Sequence, residues 1–314
     1  MTNKTNILVT GGAGNVGSAL VERLIEDPNN LVVVVDNLLT GSKEKLPEAT
    51  NNNLKFIQSD VNNQEEITSV FNTFSFDYVF HYAALVGVKR TLDNPLMVLE
   101  DIEGFKNILE LCKNSTVKRI IFSSSSEVYG EPVEYPQNEE TTPLNAKLPY
   151  AIVKNIGEAY LKSYQQAHGL DYTIFRFFNT YGPKQSKDFV ISKFINAALN
   201  NNDITIYGDG SQTRTFCYIE NNINATVYAA FNDAGKNQTI NIGNNIETPV
   251  LELAKTIINL TDSQSKIVHL PALEDGDMTR RNPDITIMKS LVDQEIYSLE
   301  DGLKKVLENT SFIA

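Results

Sequence analysis

The chain has 314 residues, a formal net charge of -12 and a pI of about 4.8. That length buries a sizeable core in one large or two modest domains, and an acidic surface disfavours nucleic acid and anionic membrane as partners. Two distant cysteines, Cys112 and Cys217, give neither a disulfide framework nor metal-ligand spacing.

Met1-Thr-Asn-Lys-Thr-Asn6 is polar and runs straight into a strand. With no signal peptide and no apolar run of membrane-spanning length, the sequence points to a cytoplasmic location. The first half alternates strand and helix. Ile7–Thr10 is a short apolar run, Ser18–Glu26 is helix-like, and Leu31–Val35 is an aliphatic run closed by Asp36. Leu54–Ile57 ends at Gln58-Ser-Asp60, Gln64–Phe74 is amphipathic, and Tyr78–Phe80 ends at His81-Tyr-Ala-Ala84. Pro95–Cys112 reads as a long helix, Arg119–Phe122 as a strand whose tip carries Ser123–Ser126, Tyr150–His168 as a second long helix, and Tyr172–Phe175 as a strand. Continuous apolar strands joined by helical crossovers predict an α/β fold with a doubly wound parallel sheet. After about Tyr181, Pro and Gly punctuate more densely. This suggests a domain over 1–180 and a smaller α/β domain over 181–314, with Thr239–Ile242 as a late strand returning to the first sheet. The asparagine clusters at Asn51–Asn53, Asn200–Asn202 and Asn221–Asn222 read as loops.

Two constellations carry chemistry. Gly11-Gly-Ala-Gly-Asn-Val-Gly17 follows the first strand and opens a helix. Glycines there let the backbone approach a pyrophosphate, which sits on the helix N-terminus. Asp36 ends the next strand, nineteen residues beyond Gly17, where a carboxylate holds both ribose hydroxyls and repels a 2'-phosphate. NAD is therefore favoured over NADP, with Asp60-Val61 placed to contact adenine. The second constellation is Tyr150-Ala-Ile-Val-Lys154, which puts a phenol and an ammonium on one helical face. The ammonium is expected to lower the tyrosine pKa from about 10 toward neutrality and make a general base. His81, at a strand end, reads as a structural hydrogen-bonder.

Together these residues resemble the extended short-chain dehydrogenase/reductase family, and within it the NAD-dependent nucleotide-sugar epimerases, dehydratases and decarboxylases. The resemblance covers nearly the whole chain. Asp36–Gly41, with Asn37, resembles the epimerase loop; His81–Val86, with Ala83, Ala84 and Val86, resembles the segment beside the nicotinamide; Arg176–Pro183 and Tyr207–Arg214 resemble the substrate diphosphate and nucleotide segments. The resemblance implies a Rossmann domain with Gly11, Gly14, Asn15, Val16 and Gly17 around the cofactor. It implies Tyr150 as base, Ser125 on the sugar O4, and Lys154 on the ribose. Asn179, Arg214 and Arg281 would face the substrate diphosphate, Ser126 and Glu127 would lie near the sugar, and two subunits would join through the two long helices. Two departures stand out: Asn15 replaces an aromatic or aliphatic residue, and Asp101 replaces an asparagine that helps orient the catalytic helix.

Each reaction of the family begins by oxidising C4. Dehydratases resemble Thr-Asp-Glu at 125–127, so Ser126 argues against dehydration; decarboxylases resemble Thr-Ser-Glu, which Ser125-Ser-Glu127 fits well. The decarboxylases' Tyr-Asp-Glu-Gly-Lys helix start is absent, and the loop Ala84–Pro95 has epimerase length. A 4-epimerase ranks first, a decarboxylase or C4 dehydrogenase second and a dehydratase last. An NAD-binding redox sensor, which typically lacks the tyrosine or lysine, is the non-enzyme alternative.

Overall fold

The computed structural model describes residues 4–48, 52–272 and 280–313. Residues 1–3 of the polar start and Asn51 of the first asparagine cluster lie outside the described residues. The first half runs β1 (Thr5–Thr10), α1 (Asn15–Ile25), β2 (Asn30–Asp36), β3 (Leu54–Gln58), α2 (Gln64–Thr73), β4 (Tyr78–His81), α3 (Val88–Asp93), α4 (Pro95–Lys113), β5 (Arg119–Ser125), α5 (Pro149–His168) and β6 (Asp171–Phe177). The second half runs β7 (Thr180–Tyr181), α6 (Val190–Leu199), β8 (Ile204–Tyr207), β9 (Thr213–Thr215), β10 (Cys217–Tyr218), α7 (Ile219–Phe231), β11 (Gln238–Ile242), β12 (Glu247–Pro249), α8 (Val250–Thr261), β13 (Ile267–Leu270), α9 (Thr286–Leu291) and α10 (Leu299–Leu307).

Seven parallel strands form the main sheet in the order β11-β6-β5-β4-β1-β2-β3. Side-chain alternation splits its core in two. Ile7, Val9, Val32 and Val34 pack against α1 and α7 on one face, while Leu8, Val33 and Val35 pack against α2, α4 and α5 on the other. Strand order reverses between β1 and β4, which opens a crevice beyond the strand C-termini. The glycine turn after β1 lies at that switch point. As expected, the late strand returns: β11 pairs with β6 from Gln238↔Thr173 to Ile242↔Phe177.

Two expectations are corrected. The strand β5 does not stop at Phe122 but runs through Ser123, Ser124 and Ser125, because these pair with Phe175, Arg176 and Phe177 of β6. Asn221 and Asn222 are not loop residues. They lie buried in α7, where Asn221 brackets the Glu295 carbonyl and the Tyr297 N–H, and Asn222 donates to Thr180 Oγ1 at 2.9 Å.

Candidate active site

The crevice is a cavity of about 1280 Å³, and each residue the sequence singled out for catalysis, cofactor or substrate lines it. Single-ligand pockets usually measure about 300–1,000 Å³, so this one has room for two ligands side by side. At one end, Gly11 adopts a left-handed φ of +70°, and a Cβ on it would meet the Ala83 amide nitrogen at 2.6 Å. A Cβ on Gly17 would lie 2.2 Å from the Gly11 carbonyl. The turn is thus a bare backbone cradle at the N-terminus of α1, which begins at Asn15, three residues earlier than expected. Asp36 is buried; its carboxylate is fixed by the Ala13 and Leu38 N–H groups at 2.9 and 2.8 Å. Asn37 donates to Asp60 at 3.1 Å and ties the ends of β2 and β3 together. The glycine cradle, the Asp36 carboxylate and Asp60-Val61 line one cavity beyond the C-termini of β1, β2 and β3, a set that fits NAD.

At the centre, Ser125 ends β5 and caps a single helical turn over Ser126–Tyr129, its Oγ accepting from the Glu127 N–H at 3.1 Å. The Tyr150 hydroxyl interacts with the Ser125 side chain. The turn carries Glu127 off the line of β5, yet the residue still lines the cavity. Its partner is Arg281, whose Nη2 lies 2.7 Å from Glu127 and whose Nη1 donates to Ser126 Oγ at 2.7 Å. Arg281 therefore reaches the cavity beside Ser126 and Glu127, the pair that the resemblance implies would lie near the sugar.

The expected lowering of the tyrosine pKa is not found. Burial pushes the Tyr150 hydroxyl above its ordinary value, the Glu127 charge adds to this, and the Ser125 hydrogen bond opposes it. Lys154 is only 3% exposed, and burial pushes its ammonium down to about 8, with the Asp101 charge opposing. The ammonium lies 4.9 Å from the Phe122 ring and 5.7 Å from that of Tyr150. Desolvation is the largest influence on both groups, so the neutral phenol is the resting form. Asp101, on α4, accepts from the Leu85 N–H at 2.8 Å and shares with Lys154 the lining of a separate cavity of about 10 Å³, the size of one water. His81 is structural as expected: its Nδ1 bonds Thr10 Oγ1 at 2.9 Å, and burial holds the ring neutral with a pKa of about 3.

On the far side, Asn179 takes a left-handed φ of 37° and donates to the Thr215 carbonyl at 2.9 Å. Arg214 projects from β9 with Nη1 on the Thr213 carbonyl at 2.8 Å. Sequence reasoning missed the buried support behind the site. Glu158, 2% exposed, takes Ser124 Oγ at 2.6 Å and pairs with Arg176 Nη2 at 2.7 Å. Its place four residues after Lys154 on the same helical face was the available signal. Among the described residues no side-chain cluster could hold a metal, and no helix is long and apolar enough to cross a membrane.

A model of the NAD dependent epimerase/dehydratase family matches residues 7–243. The UDP-N-acetyl-alpha-D-glucosaminuronate decarboxylase of Bacillus cytotoxicus is 36% identical, over 97% of this chain and 97% of that one. The UDP-glucose 4-epimerase of Mycolicibacterium smegmatis is 33% identical, over 96% and 97%. The solved structure of the UDP-glucose 4-epimerase of Thermotoga maritima with UDP-glucose superposes with a TM-score of 0.91 at 34% identity, covering 97% of this chain and 98% of that one.

Proposed function

Because the chain belongs to the NAD-dependent epimerase/dehydratase family, whose extended short-chain dehydrogenase architecture it shares, we propose that it is a nucleotide-sugar 4-epimerase. The observation that carries this reading is the pairing of the Ser125 and Tyr150 side chains on the wall of one cavity wide enough for a cofactor and a turning sugar. NAD, when bound, supplies a cationic acceptor for the C4 hydrogen and returns that hydrogen to either face of C4. Ser125 holds O4. Tyr150 must first release its own proton to solvent, a loss that the Lys154 ammonium and a bound cationic cofactor would favour; the phenolate then takes the O4 proton as the carbon is oxidised and gives it back on reduction. Lys154 holds the cofactor ribose and keeps a positive charge beside the phenol. Asn179 and Arg214 face the substrate diphosphate, for which a fork of N–H donors is well shaped. Residues 1–180 hold the cofactor and 181–314 the nucleotide, with β11 returning to the first sheet.

A uronate decarboxylase is the second reading. It is favoured by Arg281, a cation 5% exposed and fixed on Ser126 and Glu127, where a sugar carboxylate would need one. Incubating the enzyme with UDP-, GDP-, CDP- and dTDP-linked hexoses and hexuronates separates the readings. Mass spectrometry and proton NMR should show an isomer of unchanged mass. Loss of carbon dioxide, of water or of two hydrogens would refute the epimerase and name the alternative.

We further propose a homodimer built on α4 and α5. Leu96, Leu99 and Ile152 are 76%, 39% and 36% exposed on these adjacent helices, whereas Val98 and Leu161 on the same helices are core residues. Two such helices from each subunit would make a four-helix interface. The two buried free thiols suit a reducing cytoplasm.

A further inference from the structure

Glu247 lies on β12, outside the cavity lining, with its side chain 19% exposed. Its carboxylate is crowded with donors. It accepts Arg280 Nε at 3.0 and 2.8 Å, Arg280 Nη2 at 2.6 Å, Asn282 Nδ2 at 2.7 Å and Thr213 Oγ1 at 2.8 Å. An ionised carboxylate offers about four lone-pair directions, and these donors use them up. The Tyr135 ring backs the clamp, 4.3 Å from the Arg280 guanidinium.

What the clamp holds is informative. In extended chain, successive side chains point to opposite sides. Arg280 and Asn282 turn to Glu247, while Arg281 between them turns to Ser126 and Glu127. Thr213 turns to Glu247, while its neighbour Arg214 lines the cavity. Glu247 thus grips the immediate neighbours of both cavity arginines, which belong to segments far apart in the chain. The Thr213 carbonyl that orients Arg214 belongs to the same gripped residue. The strand β12 itself pairs with β9, opposite Arg214 through Thr248.

We infer that Glu247 is a positioning residue for substrate binding, which sets the spacing of Arg214 and Arg281 by locking their two segments together. The inference rests on the reading that these arginines face a nucleoside-diphosphate sugar. Arg280 holds the Glu247 carboxyl down to about 2, so the clamp stays charged throughout the working pH range.

The test uses E247Q, which keeps the shape and removes the charge, and E247D, which keeps the charge and shortens the reach. UDP, GDP, CDP and dTDP are titrated calorimetrically into NAD-loaded enzyme, and KM and kcat are measured with the sugar carried by the nucleotide that binds. In E247Q, nucleotide affinity should fall about tenfold, one charge-assisted hydrogen bond's worth, and KM should rise by the same factor. Both kcat and NAD affinity should stay within about twofold, and E247D should recover most of the loss. A lower melting temperature with unchanged nucleotide affinity and KM would overturn the inference and leave Glu247 a fastener of two segments. If E247Q does not fold, R280Q cuts the same clamp from its exposed side, and unchanged affinity there is equally fatal. Wild-type enzyme that binds none of the four nucleotides would instead overturn the functional reading beneath, and the inference with it.

Discussion

Replacing Lys154 with methionine should stabilise the fold while removing the activity. The ammonium is 3% exposed, and burial outweighs the attraction of Asp101 to bring it down from 10.5 to about 8. At 1.36 kcal/mol per pH unit, that drop corresponds to about 3 kcal/mol spent on keeping a charged lysine in the folded protein near neutrality. Methionine has a similar length and keeps the packing against Phe122 and Tyr150, so little is lost in exchange. Unfolding entropy of about 2.1 cal/mol/K per residue over this chain length gives about 0.66 kcal/mol/K, and the gain becomes a rise in Tm of about 4–5 °C.

The pH dependence identifies the cause. The folded pKa lies below the unfolded one, so between about pH 8 and 10.5 the unfolded lysine holds a proton that the folded one has released. Wild-type stability therefore gains on the variant as pH rises through that window. The advantage of K154M should be complete below about pH 8, shrink through the window and vanish above about pH 10.5. Scanning calorimetry of both proteins freed of NAD, at neutral and at strongly alkaline pH, reads it directly, since bound ligand would shift each Tm separately. A variant that melts no higher than wild type at neutral pH, or an advantage that persists undiminished at alkaline pH, would refute the argument. It would mean that Asp101, through water in the small shared cavity, solvates the ammonium well enough to cancel the burial.

Tyr150→Phe deletes one hydroxyl and should abolish turnover while sparing the melting temperature and NAD affinity; near wild-type turnover would show that another group is the base. Glu127→Gln should cost about tenfold or less in kcat if the enzyme is an epimerase, where one polar contact is at stake, and at least about a hundredfold if Glu127 serves acid–base chemistry in a decarboxylase. Because the Glu127 charge raises the Tyr150 pKa, the acidic limb of the kcat/KM profile should also move to lower pH in that variant; an unmoved limb contradicts this coupling. Light scattering at micromolar concentration should give the dimer mass, and Leu96→Glu should shift it towards monomer; a monomeric wild type excludes the interface on α4 and α5.

The parallel sheet was legible because its strands are buried on both faces and read as unbroken aliphatic runs, Val32–Val35 most plainly. The cofactor cradle was legible because a backbone that must touch Ala83 and its own next turn admits only glycine. What stayed hidden depends on partners distant in sequence. Asn221 looks like a loop residue until Glu295 and Tyr297 arrive to use its amide, and Glu247 is an ordinary surface carboxylate until Arg280 and Thr213 converge on it. The tyrosine pKa was misjudged for a related reason. Helical spacing reports the lysine charge, but the burial that opposes it comes from packing against β4, β5 and α4, to which a local pattern is blind.

Four consecutive serines answer to the same geometry. Each hydroxyl meets a different partner: Ser123 the His81 carbonyl of β4 at 3.5 Å, Ser124 Glu158 of α5, Ser125 the Glu127 N–H with the Tyr150 side chain of α5 beside it, and Ser126 Arg281. Where strand meets turn, every residue faces a new neighbour, and each neighbour here is polar and at least partly buried. A small hydroxyl that both donates and accepts is the one side chain that satisfies all four without adding charge or bulk. Adding a carboxylate would be costly. Aspartate at 126 would place a second anion beside Glu127 and compete for the same guanidinium; at 124 it would face Glu158, already committed to Arg176 with both partners 2% exposed. A single carboxylate in the run, Glu127, matches a single arginine brought to it from the other end of the chain. Charge at this point of the cavity is thereby balanced by one pair, and on the proposed function the chemistry there turns on whether a substrate leaves that pair intact or breaks it.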